Sequence, residues 1–187
     1  MATTLDGRRV ALLAADGFEE SELTQPKRAL EDAGATVHVV SLKSGEIQGF
    51  RHFDKGASVK VDRTLAEADA ADYHALVIPG GLFNPDALRA SDEAVAFARA
   101  FFEAHKPVGA ICHGPWVLID ADVVEGRELT SVPNIRKDLE NAGARWRDAE
   151  VVVDEGLVTS RTPKDLPAFC AKLVEEVAEG RHEGQTA

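Results

Sequence analysis

Gly109-Ala110-Ile111-Cys112-His113-Gly114-Pro115 passes without a spacer from a buried apolar strand into a helix start, and its reading decides the fold. Small residues at Gly109, Ala110 and Gly114 let the chain turn sharply. That is the requirement of a nucleophile elbow, in which a strained strand-to-helix turn projects its central side chain. Cys112 occupies that centre. Helix-start amides and the helix dipole favour a thiolate over a thiol, so the sequence predicts a lowered Cys112 pKa. The plain alternative is an inert buried cysteine at a strand end.

Outward from this segment, apolar β-rich stretches alternate with helical periodicity. Val10–Ala15, Val37–Leu42, Ala75–Ile78, Val108–Cys112, Val151–Val153 and Leu157–Ser160 read as strands. Helical stripes fall between and after them: Leu23, Pro26, Leu30 and Ala33, stopped by Gly34; Ala94, Phe97, Ala98 and Phe101; and Ile135, Leu139 and Ala142, stopped by Gly143. Leu166, Phe169, Cys170, Leu173, Val174 and Val177 mark a last helix, with Thr162-Pro163-Lys164-Asp165 as its capping start. Cys170 lies inside that apolar stripe and reads as a core residue without chemistry. Gly45–Asp62 reads as a hairpin excursion, and the residues after Glu179 are expected to fray. The alternation predicts an α/β fold, a mostly parallel sheet with helices on both faces. Its ligand crevice is expected at the carboxyl ends of the strands.

The length of 187 residues and the 44% apolar content suit one domain over residues 1–187. Thirty-two acidic against 21 basic side chains give a formal charge of −11, which argues against a general nucleic-acid binder. No apolar run has bilayer-spanning length, and Met1–Asp6 lacks signal-peptide character, so a cytoplasmic protein is expected. Two cysteines in unlike contexts make a disulfide framework improbable.

Four strand ends carry chemistry-bearing residues. Asp16-Gly17-Phe18-Glu19-Glu20-Ser21-Glu22 follows the first strand, Pro79-Gly80-Gly81 the third, Cys112-His113 the fourth, and Ser160-Arg161-Thr162 the last. His113 is a candidate base, although neighbours on a turn often point apart. The Gly81 N–H is a candidate oxyanion donor, with a second donor from the elbow. Glu19 and Glu22 share a helix face and lean toward the crevice, either complementing the dipole or meeting the thiol. A glutamate against a thiolate must be protonated and donate, or else repel it. No phosphate loop is present, and His38, His52, His74 and His105 have no recognisable metal-ligand spacing, so no metal and no cofactor is expected.

Taken in order, Gly17–Leu23, Val77–Gly81, Ala110–Pro115 and Val151–Asp154 leading to Ser160-Arg161 resemble the PfpI, or intracellular protease I, family from about Arg8 to Glu176. That family lies in the superfamily of the parkinsonism-associated deglycase and the class I glutamine amidotransferases. The resemblance implies a flavodoxin-like three-layer sandwich with a core of about residues 8–177. It makes Cys112 the nucleophile and Glu22 the carboxyl bonded to it, with Glu19 in the same pocket. The Gly81 and His113 amides then form the oxyanion site. In peptidase-like members an acid from a neighbouring subunit orients the histidine, and the matching position here is Asp86. The active site would then lie at the interface of a homodimer or hexamer. Val132 stands where some members carry tyrosine. Family activities range over peptidase, glyoxalase-like and deglycase chemistry, redox sensing and chaperone-like protection. The implied reading is a stress-protective cysteine hydrolase or lyase acting on small carbonyl compounds, glycated side chains or peptides, with nucleic acid only as a glycated substrate. The alternative is a redox sensor whose Cys112 oxidises to sulfinate.

Overall fold

The computed structural model describes residues 4–187. The opening Met1–Thr3, part of the stretch read above for a signal peptide, lies outside the described residues. The chain starts with β1 (Arg9–Leu13), the two-residue β2 (Phe18–Glu19), α1 (Glu20–Asp32) and β3 (Thr36–Ser41). The expected hairpin follows as β4 (Glu46–Arg51) and β5 (Asp54–Lys60), then β6 (Arg63–Thr64) and β7 (Ala75–Ile78). α2 (Phe83–Arg89) and α3 (Asp92–Glu103) lead to β8 (Val108–Ile111) and the short α4 (Pro115–Asp120). β9 (Glu128–Leu129), α5 (Arg136–Asn141), β10 (Arg145–Trp146), β11 (Val152–Asp154), β12 (Leu157–Ser160) and α6 (Leu166–Glu179) complete it.

The central sheet has seven strands in the order β11-β12-β8-β7-β1-β3-β6, all parallel neighbours except the antiparallel β11–β12 pair. Its two faces follow the period of two along each strand. Val10 and Leu12 of β1, with Val77 of β7 and Ile111 of β8, face α1 and α6 through Leu23, Leu30, Phe169 and Leu173. Ala11 and Leu13, with Leu76, Ile78 and Ala110, face the other layer, where Phe97, Phe101, Val117 and Leu118 cover them. Burying each of these large side chains contributes roughly 1.5–3 kcal/mol. The result is the three-layer α/β sandwich that the alternation predicted.

The sequence reading misses two details. Thr162 makes no side-chain cap; a 3₁₀ turn at Pro163–Asp165 precedes α6, and the Asp165 carboxylate instead accepts the Arg161 backbone N–H at 3.1 Å and its guanidinium at 2.9 Å. The tail beyond Glu179 packs against the body rather than fraying. The His182 N–H donates to the His105 carbonyl, the Gln185 N–H to the His182 carbonyl, and the Gln185 side chain is fully buried. Arg127 also donates to the Thr186 carbonyl.

Candidate active site

Because β1, β7, β8 and β12 run parallel, their carboxyl ends share one edge, and there Glu22, Gly80, Gly81, Cys112 and His113 converge. Cys112 has φ 63°, a left-handed conformation that costs a non-glycine residue roughly 1–3 kcal/mol. Both of its backbone groups are engaged: its N–H donates to the Ser160 carbonyl at 3.0 Å, and its carbonyl accepts the Val132 N–H at 3.1 Å. Val132 thus supports the elbow through its backbone, a contribution its side chain does not affect.

The His113 Nδ1 lies 3.3 Å from the Cys112 Sγ, so these neighbours meet rather than point apart. The His113 ring packs on Trp116 at 5.1 Å between centroids, and burial holds its pKa below the ordinary histidine value. Trp116 is in turn fixed by its Nε1–H to Asp138 at 2.8 Å and by the Arg89 guanidinium 5.2 Å over its ring. The sequence reading misses this aromatic support, because residues spread over three helices carry it.

Glu22 is fully buried in the first turn of α1. Its Oε2 accepts the Gly80 N–H at 2.8 Å, and its Oε1 is buried without a hydrogen-bond partner. Burial raises its pKa to about 8, with the nearby Glu19 charge adding to the shift, so the carboxyl is neutral at pH 7. The Cys112 thiol is also pushed up, first by burial and then by the Glu22 charge. This reverses the sequence expectation of a low thiol pKa: α4 has only six residues, and the sulfur is too far from water for its dipole to prevail. The two groups share at most one negative charge. The His113 and Gly81 backbone N–H groups both act to favour a negative sulfur.

Gly81 has φ 80°, and a Cβ there would lie 2.3 Å from the Gly17 carbonyl oxygen. A Cβ on Gly80 would lie 2.5 Å from the Glu22 Oε2 and 2.6 Å from the Cys112 Cβ, so Glu22 and Cys112 meet across a gap that only glycine leaves. The fully buried Asn84 holds this turn in place. Its Oδ1 accepts the Ala15 N–H at 2.7 Å, and its Nδ2 donates to the Pro79 and Gly80 carbonyls at 2.8 and 3.0 Å. In the sequence Asn84 shows only as a polar residue after Pro-Gly-Gly, with no signal of the contacts it makes.

Glu19 is near enough to act on Glu22, and its Oε2 accepts the His52 N–H at 3.0 Å from the hairpin. Asp86 does not join the cluster within one chain: it is exposed on α2, and no carboxylate among the described residues bonds His113. Arg161, one of the strand-end candidates, is occupied by Asp165 and Asp148. Away from this edge, Glu176, Glu179 and His182, spaced three residues apart along the sequence, bring ligand atoms within 4.8 Å of one another. There the His182 Nε2 lies 3.1 Å from the Glu176 Oε2. No described helix is long and apolar enough to cross a membrane.

Comparisons with known proteins place the chain in a family. YraA of Bacillus subtilis, named as a candidate cysteine protease, is 51% identical over 87% of this chain and 94% of its own length. The deglycase TK1284 of Thermococcus kodakarensis is 46% identical over 89% of this chain and 97% of its own. Among solved structures, Drosophila melanogaster DJ-1beta superposes with a TM-score of 0.84 at 30% identity, over 91% of this chain and 90% of that one. A two-domain protein of Anabaena variabilis with DJ-1/ThiJ/PfpI-like and ferritin-like domains gives 0.86 at 35% identity over 96% of this chain, which spans 50% of that longer one. The model of the DJ-1/PfpI family matches residues 8–176, from the start of β1 into α6, and the chain belongs to that family.

Proposed function

We propose that the chain is a cofactor-free, cysteine-dependent enzyme of stress protection that attacks electrophilic carbonyls through Cys112. The observation that carries this reading is the contact between the Cys112 Sγ and the His113 Nδ1 on a strained elbow, facing the Gly81 N–H. A buried thiol with a raised pKa needs a base at the moment of attack, and a histidine held below its ordinary pKa is neutral and able to accept at pH 7. The sulfur forms a C–S bond to the carbonyl carbon as its proton passes to His113. The carbonyl π electrons move to oxygen, where the Gly81 and His113 amides receive the charge. From an aldehyde or dicarbonyl the adduct is a hemithioacetal. From a peptide it is a tetrahedral oxyanion, which collapses to a thioester as the C–N bond breaks and His113 gives its proton to the leaving amine; water later cleaves the thioester. The neutral Glu22 adds a proton donor rather than a second charge.

The substrate class is small carbonyl compounds and glycated side chains ahead of peptides, because the first two need no extended cleft. The deglycase name of one relative supports glycated substrates, and the general stress protein name of another supports the stress role alone. Asp86 orients His113 from a second copy. Leu82 and Phe83, 53% and 65% exposed at the start of α2, supply the apolar surface for that association. The protein acts in the cytoplasm.

A second reading rests on the orphaned Glu22 Oε1. A neutral carboxyl against sulfur can donate to the oxygens of a Cys112 sulfinate, making the site a peroxide sensor with little turnover. Wild type and Cys112→Ala, followed with methylglyoxal, a glycated thiol and a fluorogenic peptide, separate the two. Cys112-dependent consumption of the carbonyl substrates supports the enzyme. No turnover, with a gain of two oxygens confined to the wild type after mild peroxide, establishes the sensor instead.

A further inference from the structure

The opposite edge of the sheet, where the strands begin, carries a feature that the carbonyl chemistry does not use. Arg8 precedes β1, His74 precedes β7, Lys106 lies two residues before β8, and Arg181 follows α6. Parallel pairing brings the strand starts together, and these four side chains, with Tyr73, line one cavity of about 160 Å³. In a chain of formal charge −11 this is a local excess of positive charge.

The cations are not neutralised by ion pairs. Arg8, Lys106 and Arg181 have no carboxylate partner among the described residues, a state they share with Arg9, Arg63, Arg127 and Arg145, none of which lines this cavity. Lys106 is only 8% exposed. Its Nζ gives one of three hydrogens to the Ala70 carbonyl at 2.8 Å and stands 5.5 Å over the Phe101 ring, which leaves two donors free. The Arg8 Nη2 has a single long contact, 3.3 Å to the Ala178 carbonyl. The His74 Nδ1 accepts the Arg9 N–H at 3.0 Å, so the ring proton resides on Nε2, available as a further donor.

These groups are close enough to act on one another. Burial and then Arg181 hold the Lys106 pKa down, and Arg8 and Lys106 add to the effect of burial on His74. Asp69 and Asp72 oppose this at Lys106, each with a smaller effect than burial or Arg181. Cations gathered in a partly desolvated hollow repel one another, and a bound anion relieves that cost while satisfying the free donors.

We propose that Arg8, His74, Lys106 and Arg181 form a binding site for a small dianionic oxyanion of the phosphate type, on the edge of the sheet opposite Cys112. The cavity is well below the roughly 300–1,000 Å³ of sites that enclose a drug-sized ligand, so it takes a tetrahedral anion or the head of a phosphate monoester. The source is either free inorganic phosphate or a phosphorylated small molecule.

Calorimetric titration of the full chain with inorganic phosphate and with glycerol phosphate, at constant ionic strength set by sodium chloride, tests the site. Saturable binding is expected in wild type and in Cys112→Ala. It is expected to weaken at least about tenfold in Arg181→Gln and in Arg8→Gln. Arg181 is exposed, so its variant keeps the fold, and melting curves without phosphate check both variants. Tighter binding of glycerol phosphate identifies the ester as the source, and equal or weaker binding the free anion. Absence of saturable heat with both probes, or equal affinity in wild type and the two arginine variants, overturns the proposal.

Discussion

Cys112 and Cys170 are the same residue in two half-buried places, and the contrast between them separates burial from reactivity. Burial raises both thiols, Cys170 to about 11 through desolvation alone. On α6, Cys170 packs against the apolar cluster of Phe169 and Leu173 and gains nothing else. At the elbow, Cys112 has a left-handed backbone, a histidine nitrogen at 3.3 Å, two backbone N–H groups favouring its negative form and a neutral glutamic acid. What distinguishes Cys112 is the set of polar groups at its sulfur, which on the proposed function take its proton and receive charge, and not its exposure.

The sharpest way to break this contrast is to exchange the roles by mutation. Cys112→Ser is expected to lower methylglyoxal consumption at least about a thousandfold, and Cys170→Ala to leave the initial rate within about twofold. Gly81→Ala should cost about a hundredfold in kcat, because a Cβ at φ 80° strikes the Gly17 carbonyl and displaces an oxyanion donor. Circular dichroism on the same samples shows whether the fold persists.

Two further changes sharpen the account of what holds the elbow's partners. Asn84→Ala leaves the Ala15 N–H and two carbonyls unpaired, and is expected to cost about 3 kcal/mol and to lower Tm by about 10 °C. Glu22→Gln tests the buried proton. The folded pKa near 8 stands above the ordinary 4.5, so folding takes up a proton between those values, and wild-type stability falls as pH rises from about 4.5 to 8. The glutamine variant lacks that slope and should gain about 5 °C in Tm on wild type between pH 5 and pH 8. The smallest effect belongs to Cys170→Ala, about 1 kcal/mol or less for a half-buried thiol, read from a denaturant midpoint.

The layers of the fold were legible because periodicity is local. Leu23, Leu30, Phe169 and Leu173 announce their faces within single segments, and the Gly109–Pro115 run announces the elbow. The Cys112, His113, Glu22 and Gly81 grouping was legible as well, since parallel strands put their carboxyl ends on one edge. The thiol's pKa was misread because a dipole argument is local, whereas desolvation depends on elements from the whole chain packing over the sulfur. Asn84, the Trp116 support and the packed tail depend on contacts distant in sequence, which no window reveals. Asp86 stays apart from His113 within one chain.

The most direct test of the central claim is competitive labelling of the native wild type with limiting iodoacetamide at pH 7.5, with both cysteines read by peptide mass. Modification of Cys112 at least about tenfold faster than Cys170 is the predicted result, since both are half-buried and only one has a base and amide donors at its sulfur. Equal rates, or faster modification of Cys170, would contradict it.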